Sequence, residues 1–258
     1  MCLPFCRPFV QYNKWLTPKS SSVAKSINLS KSNNVQSPFS EWYGEIMQLF
    51  TTKMNDSMIP ISIQADYAYS LGKIGNNSIE FQCNAFKSSR HIDYLRHVSF
   101  QSVDTDKNSS KVATNKFNVF NFVVLPNLGS NIPILGIDII TLPGGSLAAI
   151  DFQPLIPGND TSDYERYFNS SIYKPYKEMF EKHIKTFPSG GALPEKSRKY
   201  FSPYVLWTRL PNSEILTVQS ALYEYVIAYI DIVNNAVAED PKSIPSKMKF
   251  LQDYLTYR

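Results

Sequence analysis

Residues 131–155 read NIPILGIDIITLPGGSLAAIDFQPL, and how they pair decides the fold. Ile134, Leu135, Ile137, Ile139 and Ile140 form a near-continuous apolar run, the pattern of a strand covered on both faces. Pro143-Gly144-Gly145-Ser146 is turn chemistry, because glycine accepts the positive φ that tight hairpins require. Leu147 to Phe152 then returns as the partner strand. Two carboxylates, Asp138 and Asp151, stand inside this apolar hairpin. A two-residue loop at Gly144-Gly145, or a four-residue loop about the same glycines, sets Asp138 directly opposite Asp151; a three-residue loop breaks that pairing. Directly opposed residues share a face, with Cβ atoms roughly 4.5–5.5 Å apart. Burial and like charge each raise a carboxyl pKa. One member of such a pair is then a proton donor near neutral pH, as general acid catalysis needs. The competing reading is structural: Asp138 binds a buried arginine or backbone N–H groups.

Other segments extend the sheet. Ser78 to Phe86 alternates Ile79, Phe81, Cys83 and Ala85 against polar neighbours, and Asp93 to Ser102, with Arg96 and His97, reads as its partner. Asp104 to Lys116 is a polar loop. In Phe117 to Leu125, Phe120, Phe122 and Val124 share one face while Val119, Asn121 and Val123 share the other. Asn121 is therefore a polar group on an apolar face. Left unpaired there it costs about 1–3 kcal/mol, so it is predicted to have a partner. Helical spacing appears at Phe39–Met54, through Trp42, Ile46, Leu49 and Phe50. It recurs at 160–187, where Pro175 must kink or divide the helix. It recurs again at Glu214–Ala238, with Tyr225 and Tyr229 on the apolar side, and at Ser246–Tyr257. Residues 55–75 read as an irregular lead-in. With every strand expected before Pro154 and helices after it, the chain is predicted to be α+β.

Composition limits the function. The net charge is +4, but Arg7, Lys14, Lys19, Lys25 and Lys31 all precede the first acidic residue, Glu41. Without those five, 21 of the 26 basic residues remain against 22 acidic ones, so the body carries no charge excess suited to a nucleic acid. Residues 1–40, rich in Ser, Asn and Lys, resemble an organelle transit peptide. Cys2, Cys6 and Cys83 form neither a disulfide framework nor a zinc spacing. His91, His97 and His183 show no metal spacing, and no apolar run reaches membrane-spanning length.

Three ordered blocks carry a resemblance: FNFVVLP (120–126), GIDIITLPGGSLAAIDFQPL (136–155) and FPSGGALPEKSRKYFSPYVLWTR (187–209). Together they resemble the ferredoxin-dependent bilin reductases, over roughly residues 79–258. The third block resembles the branch that converts 15,16-dihydrobiliverdin to phycoerythrobilin. The resemblance implies a three-layer α/β/α sandwich with a central antiparallel sheet, and a pocket between one sheet face and the C-terminal helices. It implies no bound cofactor, reduced ferredoxin as external electron donor, and a linear tetrapyrrole substrate. It further implies a plastid location, a monomer, no membrane partner, and transfer of substrate from the preceding bilin reductase. Asp138 is then the proton donor, Asp151 its tuning partner, and Asn121 the group that holds the ring system or a water. Arg96 and Arg209 are candidate clamps for the substrate's propionates, with Phe122, Phe152 and Tyr225 as its aromatic surroundings. In the family a DPxxG segment and a last helix follow the position of Arg258. Residues 41–258 are therefore read as the reductase domain without that helix, with the Tyr225 and Tyr229 face left uncovered. The alternatives are a phytochromobilin synthase, a reductase that forms 15,16-dihydrobiliverdin, or a bilin-binding protein without catalysis.

Overall fold

The computed structural model describes residues 38–258 except 75–76, 104–116, 156–172, 194, 199 and 258. The expected leader up to residue 37, the polar loop at 104–116 and the first part of the expected 160–187 helix lie outside the described residues. The helix read at Phe39–Met54 is present as α1 (Pro38–Lys53).

Among the described residues the core is one antiparallel sheet of eight strands. These are β1 (Met58–Pro60), β2 (Tyr69–Ile74), β3 (Asn77–Ser88), β4 (Ile92–Val103), β5 (Asn118–Pro126), β6 (Ile134–Leu142), β7 (Gly145–Gln153) and β8 (Leu206–Leu210). From β3 to β8 each strand pairs with its neighbour in sequence, while β1 and β2 both pair with β3. Among the described residues, the α-helices after α1 are α2 (Ala65–Ala68), α3 (Lys174–His183), α4 (Glu195–Arg198), α5 (Val218–Asn234) and α6 (Ile244–Tyr257).

Strict alternation along the strands makes three layers. Phe120, Phe122, Val124, Ile137, Ile139, Ile150 and Phe152 point to one face and are fully buried there. Trp42, Ile46 and Phe50, one turn apart on α1, cover that face together with Leu222, Tyr225, Val226 and Tyr229 of α5. The rings of Phe50 and Phe122 lie 5.8 Å apart, and those of Phe152 and Tyr229 5.6 Å apart. Each such side chain stabilises the fold by about 1.5–3 kcal/mol, so this layer dominates stability. The opposite face is covered at one end, where Val123, Leu125 and Ile134 meet Tyr200 and the Tyr254 side of α6. The expected α+β sandwich is therefore present, with the last two helices on opposite faces of the sheet.

Three details differ from the sequence reading. Tyr225 and Tyr229 are fully buried under the sheet, so their face is not uncovered. Residues 55–75 contribute two strands, short enough for their alternation to escape notice. β8 lies after Pro154: Leu206, Thr208 and Leu210 are buried while Arg209 is exposed, and five residues leave little period to read. Pro175 sits in the first turn of α3, where its missing N–H has no role.

The FPSGG segment is shaped by β8. Gly190 N–H donates to the Trp207 carbonyl at 3.0 Å, and the Thr208 hydroxyl donates to the Pro188 carbonyl at 2.6 Å. A Cβ at Gly190 would stand 2.5 Å from Trp207 Nε1, a distance no side chain tolerates. Gly190→Ala is expected to lower stability by about 1–3 kcal/mol through overpacking. Gly44→Ala, in exposed helix with nothing within 4 Å of the new methyl, is expected to raise it by about 0.5–1 kcal/mol. Urea unfolding of both variants, followed by tryptophan fluorescence, checks the two signs.

Candidate active site

The turn between β6 and β7 consists of Pro143 and Gly144, with Leu142 opposite Gly145. Proline presets the first corner and glycine takes a positive φ of 142° at the second. A proline inside the ladder would instead have removed an N–H from it. The loop therefore falls one residue earlier than the Gly144-Gly145 reading, and the partner of every β6 residue moves by two positions. Asp138 stands opposite Ala149, and Asp151 opposite Gly136. The predicted Asp138–Asp151 pair is not formed.

That register assembles a different row. Cys83, Val98, Asn121, Asp138, Ala149 and Trp207 are successive cross-strand partners from β3 to β8. All point away from the α1–α5 layer. Beside them runs an apolar row of Phe81, Phe100, Val119, Ile140 and Leu147, which ends in the exposed Arg209. Apart from the buried Ala149, both rows are half-buried or exposed. The small Ala149 leaves a shallow floor between Asp138 and Trp207. With strands about 4.8 Å apart, Asn121 and Trp207 are separated by roughly 14 Å, a span suited to a flat ligand of several rings. An apolar face this wide, holding a few convergent polar groups, has the makings of a binding site.

The polar groups form a line. Arg96 Nη2 donates to Asn121 Oδ1 at 2.8 Å, and Asn121 Nδ2 donates to Asp138 Oδ1. The predicted partner of Asn121 is therefore Asp138 on one side and Arg96 on the other, across three strands. Arg96 lies one row nearer α6, opposite Val123. It reaches sideways to Asn121, a contact that sequence spacing alone does not reveal.

Asp151 has another role. It is fully buried. One oxygen accepts the Ser202 N–H at 2.8 Å; the other accepts the Ser202 hydroxyl at 2.5 Å and the Tyr176 hydroxyl at 3.1 Å. The single Tyr176 O–H is shared with the Tyr204 carbonyl, 2.9 Å away. Burial pushes the Asp151 carboxyl up to about 6, against the pull of these donors. It ties β7, α3 and the FSPY turn together where β8 has ended. The raised carboxyl expected of the hairpin is thus Asp151, raised by burial and not by a facing carboxylate.

Phe122, Phe152 and Tyr225 belong to the opposite face. Phe152 stacks on Tyr176 at 4.2 Å and meets Tyr225 edge-on at 5.8 Å, inside the core under α5. The structure does not bring them to Asp138. Period two already forbids it, since Asn121 and Phe122 are neighbours on one strand. Trp207, by contrast, stands in the Asp138 row without having been singled out. The signal available was its parity with Arg209.

The sequence profile of the family described as ferredoxin-dependent bilin reductase matches residues 48–258. The chain belongs to the ferredoxin-dependent bilin reductases. It is 35% identical over 147 residues to a phycoerythrobilin:ferredoxin oxidoreductase of Nostoc punctiforme, a match covering 56% of this chain and 55% of that protein. It is 27% identical over 240 residues to the enzyme of that name from Prochlorococcus marinus strain MIT 9303, covering 91% and 88%. The crystal structure of phytochromobilin synthase from tomato in complex with biliverdin superposes with a TM-score of 0.67 at 23% identity. That alignment covers 84% of this chain and 72% of the tomato chain, and it shows that the two share a fold.

In this bilin reductase the Asp151 node has a measurable signature. The folded carboxyl holds its proton to about pH 6, whereas the ordinary value is 3.8. Between these values the folded state binds more protons than the unfolded one, so the Asp151 contribution falls as pH rises from about 4 to about 6. Asp151→Asn is expected to remove that slope. It also leaves one of the three donors facing an amide N–H, which costs about 1–3 kcal/mol. Urea midpoints for both proteins, measured at intervals from pH 4 to 7, test this.

Proposed function

We propose that this chain uses reduced ferredoxin to reduce a linear tetrapyrrole, with 15,16-dihydrobiliverdin as substrate and phycoerythrobilin as product. Family membership supports the reaction class, and the names of the relatives support the substrate. The observation that carries the reading is Asp138, a carboxyl held by Asn121 in the middle of a wide, half-open apolar face. A flat conjugated ligand laid on that face brings its pyrrole nitrogens and bridging carbons over the one acid in the row.

The reaction adds two electrons, delivered singly by ferredoxin, and two protons. The tetrapyrrole takes the electrons into its own π system, so the protein contributes binding, orientation and protons. Asp138 supplies a proton and Asn121 holds its carboxyl in place. Val98, Val119, Ile140 and Leu147 make the apolar bed. Arg209 at the rim offers a two-pronged clamp for a propionate. The acid-free basic leader supports a plastid location, where photosynthetic electron transfer keeps ferredoxin reduced.

The test is an anaerobic assay with 15,16-dihydrobiliverdin, and separately biliverdin, plus reduced ferredoxin. The expected result is loss of the dihydrobiliverdin spectrum and appearance of phycoerythrobilin. A spectral shift on binding with no product would make the chain a bilin carrier; turnover of biliverdin alone would reassign the substrate. Asp138→Asn, nearly isosteric but without the ionisable proton, is expected to bind the bilin normally and to slow product formation by about 10²–10⁴-fold. A near-normal rate in that variant would remove Asp138 as donor.

A further inference from the structure

The resemblance offers Arg96 to a substrate propionate, whereas its Nη2 donates to Asn121 Oδ1 at 2.8 Å. We infer that Arg96 is a positioning residue that sets the direction of the Arg96–Asn121–Asp138 hydrogen-bond chain, and thereby which Asp138 oxygen carries the proton. The inference rests on the functional reading of Asp138 as donor.

A guanidinium donates and cannot accept. With Arg96 Nη2 at 2.8 Å, the atom of Asn121 that faces it must be the amide oxygen. The amide nitrogen therefore faces the other way, toward Asp138 Oδ1. An amide N–H can only donate, so Oδ1 must accept. When Asp138 is protonated, its proton resides on Oδ2. Without the arginine, an Asn–Asp pair has two arrangements of similar energy. In one the amide N–H donates to the carboxyl; in the other the amide oxygen accepts the acid O–H. The second arrangement points the proton at Asn121 rather than at a ligand. Arg96 removes it.

The place of Arg96 in the fold agrees. It is half-buried among Ala85, Val123 and Tyr94, toward the α6 end of the face. A propionate clamp would be better placed at the open rim, where Arg209 stands exposed.

The experiment uses Arg96→Met, which keeps the length and apolar stem but cannot donate. Arg96→Lys keeps a donor-only head, and Asn121→Leu breaks the chain at its middle. Isotope-edited infrared spectroscopy of the bilin-free protein at acid pH reads the carbonyl stretch of protonated Asp138, assigned by its loss in Asp138→Asn. An accepted hydrogen bond lowers that stretch, so Arg96→Met and Asn121→Leu are expected to raise it, and the double variant to raise it no further. Arg96→Lys is expected to bring it back toward the wild-type position. In turnover, Arg96→Met is expected to lose roughly 10-fold or more in rate, the scale of an outer partner that orients a reacting group. Its dissociation constant for 15,16-dihydrobiliverdin should stay within about twofold, and Arg96→Lys should recover part of the loss. An unmoved carbonyl band in Arg96→Met, or a loss of bilin affinity that accounts for the whole defect, overturns the inference. If Arg96→Met does not fold, the bands of Arg96→Lys and Asn121→Leu decide in the same way. A wild-type chain that reduces no bilin sinks the functional reading but leaves the infrared result to judge the hydrogen-bond chain.

Discussion

Pro143 and Gly144 turn the chain between β6 and β7, and every cross-strand neighbour on the site face follows from where that turn falls. Strand side chains alternate with period two, and a register shift of one residue moves a whole set to the other face. The ladder here is fixed from both sides. The turn admits proline only at its first corner, and the α1–α5 layer buries Ile137, Ile139, Ile150 and Phe152. The hairpin tip is fastened as well: Asn212 donates to the Leu142 carbonyl at 2.8 Å and accepts from the Ser146 hydroxyl at 2.8 Å. With that register, Asp138 faces Asn121 on one side and the small Ala149 on the other. The acid thereby has Asn121 as a partner and stays half-buried.

The two faces divide the work. One is closed by aromatic packing and supplies most of the stability; the other is open in the middle and closed at one end by α6. α6 is anchored at its start by Lys247, which is buried, paired with Glu239 and donates to the Ser130 carbonyl at 2.7 Å. Asp151 fastens the remaining side through Ser202 and Tyr176. The open rows thus lie between two rigid attachments, which suits a site that must hold a flat ligand in one orientation.

Much of this was legible in the sequence. The strand–turn–strand block, the opposite faces of Phe122 and Asn121, the need of Asn121 for a partner, and the helices at α1, α5 and α6 all follow from periodicity and turn chemistry. The pairing of Asp138 with Asp151 failed because two adjacent glycines offered two loop positions, and the preceding proline was not allowed to choose. Phe122, Phe152 and Tyr225 are aromatic surroundings of the substrate only by what the resemblance implies. Their burial under α1 and α5 is a tertiary fact, although parity already placed Phe122 opposite Asn121. The Arg96–Asn121 contact, the Ser202–Asp151 node and the close passage of Gly190 over Trp207 join residues 17 to 51 positions apart in sequence, where no local pattern exists.

The claim that most needs testing is that the open sheet face is where the tetrapyrrole binds. A crystal structure of the chain with 15,16-dihydrobiliverdin decides it. The account predicts the bilin lying across Val98, Ala149 and Trp207, with its pyrrole nitrogens or bridging carbons within reach of the Asp138 carboxyl. A bilin bound on the α1–α5 side, or on the sheet but beyond contact with Asp138, would contradict it.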